Sequence, residues 1–251
     1  MVKTAVILAA GLGSRLASGR PQSYSKPLMK VCGETLLGRT VRSCRSAGVE
    51  RILVVTGFRS NLVEAEVRRI SQGDVETVFN AEWHRRNGIS LYACADRLDG
   101  PFALMMADHV FDPTILEDLL AISPSSGSVV LAVDRKIESI FDIDDATKVF
   151  IEDERIVGIS KQLEAYNAID CGLFSCTPEI FAALKQASAD TGDCSLSEGM
   201  ELIAARGKFL PFDIGERWWQ DVDTPEMLHH ALRLLDSFHL GAEPVRVRVA
   251  R

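Results

Sequence analysis

Two glycines, a serine and an arginine follow directly on an apolar run, in Leu8-Ala9-Ala10-Gly11-Leu12-Gly13-Ser14-Arg15-Leu16. Gly11 and Gly13 can take positive φ and bring backbone N–H groups close to an anion, and the Arg15 guanidinium is charged at any relevant pH. That is the chemistry of a phosphate-holding turn. A second cationic segment follows, Arg20-Pro21-Gln22-Ser23-Tyr24-Ser25-Lys26-Pro27-Leu28, in which the proline after Lys26 restricts the local backbone. Counting excludes two familiar phosphate loops. A Walker A loop needs Gly-Lys-Ser/Thr where Leu16-Ala17-Ser18 stands, and the dinucleotide fingerprint needs a third small residue where Leu16 stands. A lone Gly-x-Gly is also an ordinary α/β turn, and Lys26 by itself reads equally as a solvated lysine.

Carboxylates supply the complementary chemistry. Asp108-His109 stands at the carboxyl end of the apolar run Pro101–Ala107, where an unpaired carboxylate is costly to bury. Asp112, before Pro113, suits a helix cap, which leaves Asp108 for other work. In Arg217-Trp218-Trp219-Gln220-Asp221-Val222-Asp223-Thr224-Pro225-Glu226, Thr224 reads as the cap of a last helix and Pro225 as its first residue. Asp223 therefore sits just before a helix N-terminus, where it either binds a ligand or merely supports the helix start. Between these lies Asn87-Gly88-Ile89-Ser90, read as a loop in which Ser90 caps a following helical segment.

The elements that must position these groups alternate. Strands are predicted over Thr4–Ala10, Arg51–Thr56, Val75–Asn80, Pro101–Ala107, Ser128–Val133 and Phe209–Phe212. Helices are predicted over Glu34–Gly48, Asn61–Ile70, Thr177–Lys185 with Thr177 as cap, and Ser195–Ala205. Such alternation implies a mostly parallel sheet covered on both faces, with ligands at the carboxyl ends of its strands. The pattern changes after Lys136. Thr147–Ile151 and Arg155–Ile159 flank Glu152-Asp153-Glu154 and read as an antiparallel hairpin. No repeat or linker divides the chain, so one domain is expected over 1–251, with a nucleotide-binding half (1–135), an acceptor-binding portion (136–223) and a C-terminal helix and tail (224–251). The tail Val245–Arg251 alternates valine or alanine with arginine and reads as an edge strand, an oligomer contact or a frayed end.

Composition bounds the answer. A chain of 251 residues with 47% hydrophobic residues can bury a full core. A net charge of −7 argues against general nucleic-acid binding while permitting a local cationic pocket. The six cysteines form no Cys-x-x-Cys pair and suggest reduced thiols. No apolar run reaches the ~20 residues of a membrane span, and no signal peptide is recognisable, so a cytoplasmic protein is expected.

The run Leu-Ala-Ala-Gly-x-Gly-Ser-Arg-Leu followed by Lys-Pro-Leu closely resembles the signature of nucleotidyltransferases that join a nucleoside triphosphate to a phosphorylated sugar or alcohol. Asp142-Ile143-Asp144-Asp145-Ala146-Thr147-Lys148-Val149, Ile159-Ser160-Lys161-Gln162-Leu163 and Ala168-Ile169-Asp170-Cys171-Gly172-Leu173-Phe174 resemble the inositol-1-phosphate cytidylyltransferases among them. The resemblance spans Ala5 to about Leu232. It implies a Rossmann-like three-layer α/β/α nucleotidyltransferase fold, a mixed, mostly parallel sheet with a small antiparallel acceptor-binding portion. The implied nucleotide-binding set is Leu8, Ala10, Gly11, Gly13, Ser14, Arg15, Lys26, Asn87, Gly88, Ser90 and Asp108. The implied acceptor-binding set is His109, Asp144, Lys148, Lys161 and Asp170. Asp108 and Asp223 are the implied ligands of Mg²⁺, with Asp221 as the fallback for Asp223, and Arg15, Lys26, Asp108, Lys161 and Asp223 are the catalytic group. The implied substrates are CTP and inositol 1-phosphate. The resemblance leaves open that the chain works alone or supplies a separate membrane alcohol-phosphate transferase, and a homodimer is compatible. Rival readings are another acceptor (phosphocholine, 2-aminoethylphosphonate or a sugar 1-phosphate) and a nucleotide-binding regulatory module without catalysis.

Overall fold

The computed structural model describes residues 2–13, 25–122 and 124–241, with side chains described as far as 236. The opening apolar run forms β1 (Thr4–Ala9), in the middle of a nine-stranded sheet. Its alternation explains why both faces of the sheet are covered. Val6 and Leu8 pack into one apolar cluster with Leu53, Leu91, Leu184 and Met200, while Ala5, Ile7 and Ala9 enter another with Leu37, Val41, Val63 and Ile115.

Chain order builds the layers. A 3₁₀ turn at Lys26–Leu28 and a short hairpin of β2 (Lys30–Val31) and β3 (Glu34–Thr35) lead into α1 (Leu36–Ser46), capped by Thr35, whose hydroxyl accepts from the Gly38 N–H. Then come β4 (Arg51–Thr56), α2 (Ser60–Ile70), β5 (Val75–Phe79), α3 (Asn87–Tyr92), β6 (Phe102–Met106), β7 (His109–Phe111) and α4 (Pro113–Ala121). Asp112 caps α4 as expected, accepting from the Thr114 N–H at 3.0 Å. The second half supplies β8 (Val129–Asp134), β9 (Lys148–Glu152), β10 (Arg155–Ser160), β11 (Ala168–Cys176), α5 (Ile180–Ala187), α6 (Leu196–Ala205), β12 (Phe209–Asp213), β13 (Trp219–Asp221) and α7 (Pro225–Gly241).

The main sheet runs β10-β9-β11-β6-β1-β4-β5, and β8 and β12 branch from β11. β11 lies antiparallel to β6, β8 and β9, so β10 and β11 run against the other seven strands. The sheet is thus mixed and mostly parallel, as expected, with an antiparallel portion in the second half. β7 and β13 form a separate two-stranded sheet that the residue pattern did not reveal; it pairs Asp221 with His109.

Three local expectations change. Asn87–Tyr92 is itself helical, so Ser90 is buried within α3, accepts from Asn80 Nδ2 at 3.0 Å and caps nothing. The Thr177 hydroxyl donates to the Ser128 carbonyl at 3.1 Å, and α5 begins only at Ile180. Glu34 is extended, because Thr35 takes the cap of α1. Thr224 caps α7 as expected, and Ser195, at the expected start of a helix, caps α6 in a reciprocal capping box with Glu198. The tail Val245–Arg251 lies outside the described residues.

Candidate active site

The carboxyl ends of β1 and β6 bring together residues that are far apart in the chain. Lys26 is 6% exposed, and its ammonium donates to Asp108 Oδ2 and to Asp223 Oδ1. Its stem runs beneath the glycine turn. Gly13 has φ +62°, and a Cβ there would lie 2.8 Å from Lys26 Cβ, so this position needs glycine for both backbone and space. Asp108 follows β6, and its carbonyl accepts from the Val222 N–H at 3.0 Å, which ties the segment carrying Asp223 to the sheet end. Burial works against the charge on Lys26, but the two carboxylates outweigh it and hold its pKa above that of an ordinary lysine. Burial opposes the Asp108 charge as well, yet Lys26 and His109 hold its carboxyl well below the usual carboxylate range.

The other oxygen of Asp108 faces His109, whose Nδ1 lies 2.8 Å from Oδ1. Burial would lower the His109 pKa, but the hydrogen bond and charge of Asp108 raise it overall. The imidazole stacks on Trp219 at 5.9 Å and 13°. Trp219 Nε1 donates to Asp134 Oδ2 at 3.0 Å, and Asp134 Oδ1 accepts from Lys136 Nζ at 2.9 Å. On the other side Gly172, with φ +73°, leaves room for the ring: a Cβ there would meet His109 Nε2 at 2.5 Å. His109 is therefore fixed in place. Asp170 accepts from the Gly172 N–H at 2.7 Å, and burial pushes its carboxyl up to about 6.

Two hollows meet at these aspartates. The smaller, about 250 Å³, is lined by Leu8, Ala9, Gly11, Gly13, Lys26, Pro27, Ala107, Asp108 and Asp223. The larger, about 500 Å³, reaches from Asp108, His109 and Asp223 into the second half, past Asp145, Lys161, Asp170 and Asp221. Asp108 and Asp223 belong to both. The geometry offers one hollow beneath a glycine turn, one beyond it, and paired carboxylates between them.

The donor set suits a hard divalent cation. Asp108 and Asp223 already converge on one cationic nitrogen, and Asp145, Asp221 and Asp223 each place a ligand atom within 4.8 Å of the others. All are carboxylate oxygens, the ligands of Mg²⁺, Mn²⁺ or Ca²⁺ rather than of softer metals. Asp221, the fallback ligand, is thus part of the same acidic group, and burial raises its carboxyl.

The remaining expected residues divide. Leu8, Gly11 and Gly13 line the small hollow, while the Ala10 carbonyl is taken by the Phe58 N–H at 2.9 Å. Asn87 lines the large cavity, though its side-chain oxygen accepts from the Leu196 N–H at 2.8 Å. Gly88 packs on Cys194, where a Cβ would meet the carbonyl at 2.7 Å, and with Ser90 it lines neither hollow. Lys161 lines the cavity and donates to Asp145 Oδ1 at 2.9 Å. Asp144 is exposed and outside the lining, and Lys148 instead donates to the Lys161 carbonyl at 3.0 Å and lies over Tyr166. Ser14 and Arg15 lie outside the described residues. Sequence reasoning did not single out Asp145, Phe141, Asp134, Lys136 or His230. The run Asp142-Ile143-Asp144-Asp145 was the available signal, but an irregular turn has no period that says which carboxylate faces inward.

A protein of Thermococcus kodakarensis described as a bifunctional IPC transferase and DIPP synthase is 38% identical over 232 residues, 92% of this chain and 50% of its own length. One with the same description from Rubrobacter xylanophilus is 36% identical over 240 residues, 94% of this chain and 52% of its own length. The chain spans about half the length of these curated relatives. The solved structure of the inositol-1-phosphate CTP transferase from T. maritima superposes with a TM-score of 0.82 at 27% identity, covering 96% of this chain and 98% of that one. The MobA-like NTP transferase domain matches residues 5–202, so the chain belongs to the MobA-like NTP transferase family.

Proposed function

We propose that the protein transfers CMP from CTP to the phosphate of inositol 1-phosphate, giving CDP-inositol and pyrophosphate. The observation that carries the reading is the junction of two hollows at Asp108 and Asp223 with Lys26 between them. Relatives described as IPC transferases, and the structural likeness to an inositol-1-phosphate CTP transferase, support the choice of base and acceptor.

In this reading the triphosphate lies along Gly11 and Gly13, with Lys26 and Arg15 opposing its charge. Asp108 and Asp223 would hold Mg²⁺, which supplies charge neutralisation across the phosphates. Lys161, anchored by Asp145, aims the acceptor phosphate from the large cavity. An acceptor oxygen forms a bond to the α-phosphorus, the bond from that phosphorus to the bridging oxygen of the β-phosphate breaks, and its electron pair leaves with pyrophosphate. No general base is needed, because a phosphate monoester with a second pKa of about 6 is already largely ionised near neutral pH. The work left to the protein is positioning and cancellation of repulsion between two anions.

Pyrophosphate release with Mg²⁺ tests the reading, in a matrix of the four ribonucleoside triphosphates against inositol 1-phosphate, phosphocholine, 2-aminoethylphosphonate and glucose 1-phosphate. Release restricted to CTP with inositol 1-phosphate is expected. CTP with a different acceptor would remove the inositol assignment and keep the chemistry, whereas nucleotide binding without release for any pair would favour a regulatory module.

A further inference from the structure

Six large apolar side chains are markedly exposed among the described residues: Leu12, Phe79, Tyr92, Ile122, Phe141 and Val157. Only Phe141, 44% exposed, lines the large cavity. An aromatic ring left open inside a polar cavity is a surface that gains by being covered. Phe141 is also backed. His230 of α7 stacks on it at 4.6 Å and 17°, and His230 Nδ1 lies 2.7 Å from Gln220 Oε1. The Gln220 amide donates in turn to Asp221 Oδ1 at 2.9 Å, so the ring stack is locked to the acidic group at the junction.

We infer that Phe141, backed by His230, is the platform on which the ring of a cyclic polyol phosphate lies, and that it selects this acceptor class. The inference rests on the acceptor reading above. Its chemistry follows from the arrangement. Phe141 and His230 stack with nearly parallel planes, so His230 covers one face of Phe141 and offers no wall at an angle to it. A cage for a quaternary ammonium needs walls at an angle to one another. Of the two tryptophans along the cavity, Trp219 has its face against His109 and its N–H on Asp134, and Trp218 packs against the apolar cluster of Val31, Leu36, Val110 and Val222. A flat apolar face suits the C–H face of a cyclohexane or pyranose ring. The carboxylates of Asp142, Asp145 and Asp221 along the same cavity are acceptors for hydroxyl groups at its edge, and Lys161 is at hand for the phosphate.

Steady-state kinetics of Phe141→Leu, Phe141→Ala and Phe141→Tyr with CTP and inositol 1-phosphate test it. Loss of the aromatic face in the first two should raise KM for the acceptor about five- to tenfold and leave KM for CTP within about twofold, while Phe141→Tyr stays near wild type. Leucine keeps apolar bulk at an exposed position, and the unchanged CTP parameter reports an intact fold. If the wild-type enzyme uses inositol 1-phosphate and its acceptor KM is unmoved in all three variants, the platform is overturned alone. A wild-type enzyme that takes 2-aminoethylphosphonate or phosphocholine and no cyclic polyol phosphate overturns the acceptor reading and the platform with it.

Discussion

An ammonium that bridges two carboxylates competes with a divalent cation for them. Lys26 bridges Asp108 and Asp223, so a metal ion would have to compete with it, and in the proposed reading a triphosphate beneath Gly13 would give it another anion to meet. Metal affinity should therefore be weak without nucleotide and rise with it. Lys26→Met separates the two roles of this residue. Turnover should fall about 10²- to 10³-fold for want of a cation at the reacting phosphates. Affinity for Mn²⁺ in the absence of nucleotide should instead increase about ten- to a hundredfold, the equivalent of removing a charge-assisted hydrogen bond of about 1.5–3 kcal/mol. Titration with Mn²⁺ followed by electron paramagnetic resonance measures this directly. A variant that binds Mn²⁺ no better than wild type would show that Lys26 does not compete for the site.

At the level of elements, β11 does more than close the sheet. Its pairing with β8 shifts register between Asp170 and Phe174, and Gly172 within this irregularity takes φ +73° directly against the His109 ring. Gly172→Ala should combine backbone strain with displacement of His109 from Asp108 and Trp219. Gly127, at φ +75° with nothing within 4 Å of a Cβ, isolates the strain. Gly127→Ala should cost about 1 kcal/mol in thermal denaturation and keep full turnover. Gly172→Ala should cost about 2–3 kcal/mol and also lose turnover. Equal effects of the two substitutions would mean that His109 placement is unimportant. This bulge also marks where sequence reading stops. Apolar runs such as Ala5–Ala9 and Ile52–Val55 specify strands locally, and Asp112, Ser195 and Thr224 mark helix starts within three residues, so the layers were legible, though the cap at Thr35 was missed. Lys26 meets partners 82 and 197 residues away, and Asp145 rather than its neighbour Asp144 turns inward through an irregular loop. Neither fact has a local signal. Asn87 misled for a related reason: an Asn-Gly pair reads as a loop, but here Asn87 opens α3 and its side-chain oxygen accepts from the Leu196 N–H at the start of α6, across the fold.

At the scale of the whole molecule, the first and second halves of the chain share one core among the described residues. One apolar cluster contains Val6, Leu53 and Leu104 of the first half together with Ile151, Ile156 and Ile203 of the second, and β11 is hydrogen-bonded to β6 and to β8 and β9. The site is spread in the same way, with Lys26 near one end of the chain and Asp223 near the other. Unfolding should therefore be one cooperative transition. The tryptophans report on it separately, since Trp83 packs at a tilt against Phe58 in the first half while Trp219 stacks on His109 in the wall of the larger cavity. Fluorescence of wild type and of Trp83→Phe should follow the same denaturation curve as far-ultraviolet circular dichroism. CTP with Mg²⁺ should move that single curve as a unit, by about 2.7 kcal/mol when the free ligand is at a hundred times its Kd. Were the Trp83→Phe signal to change before the loss of secondary structure, the acceptor side would be opening by itself. A ligand that delayed only the later of two transitions would then locate the nucleotide on the half that holds, and the site would be assembled by docking of two units instead of by one sheet.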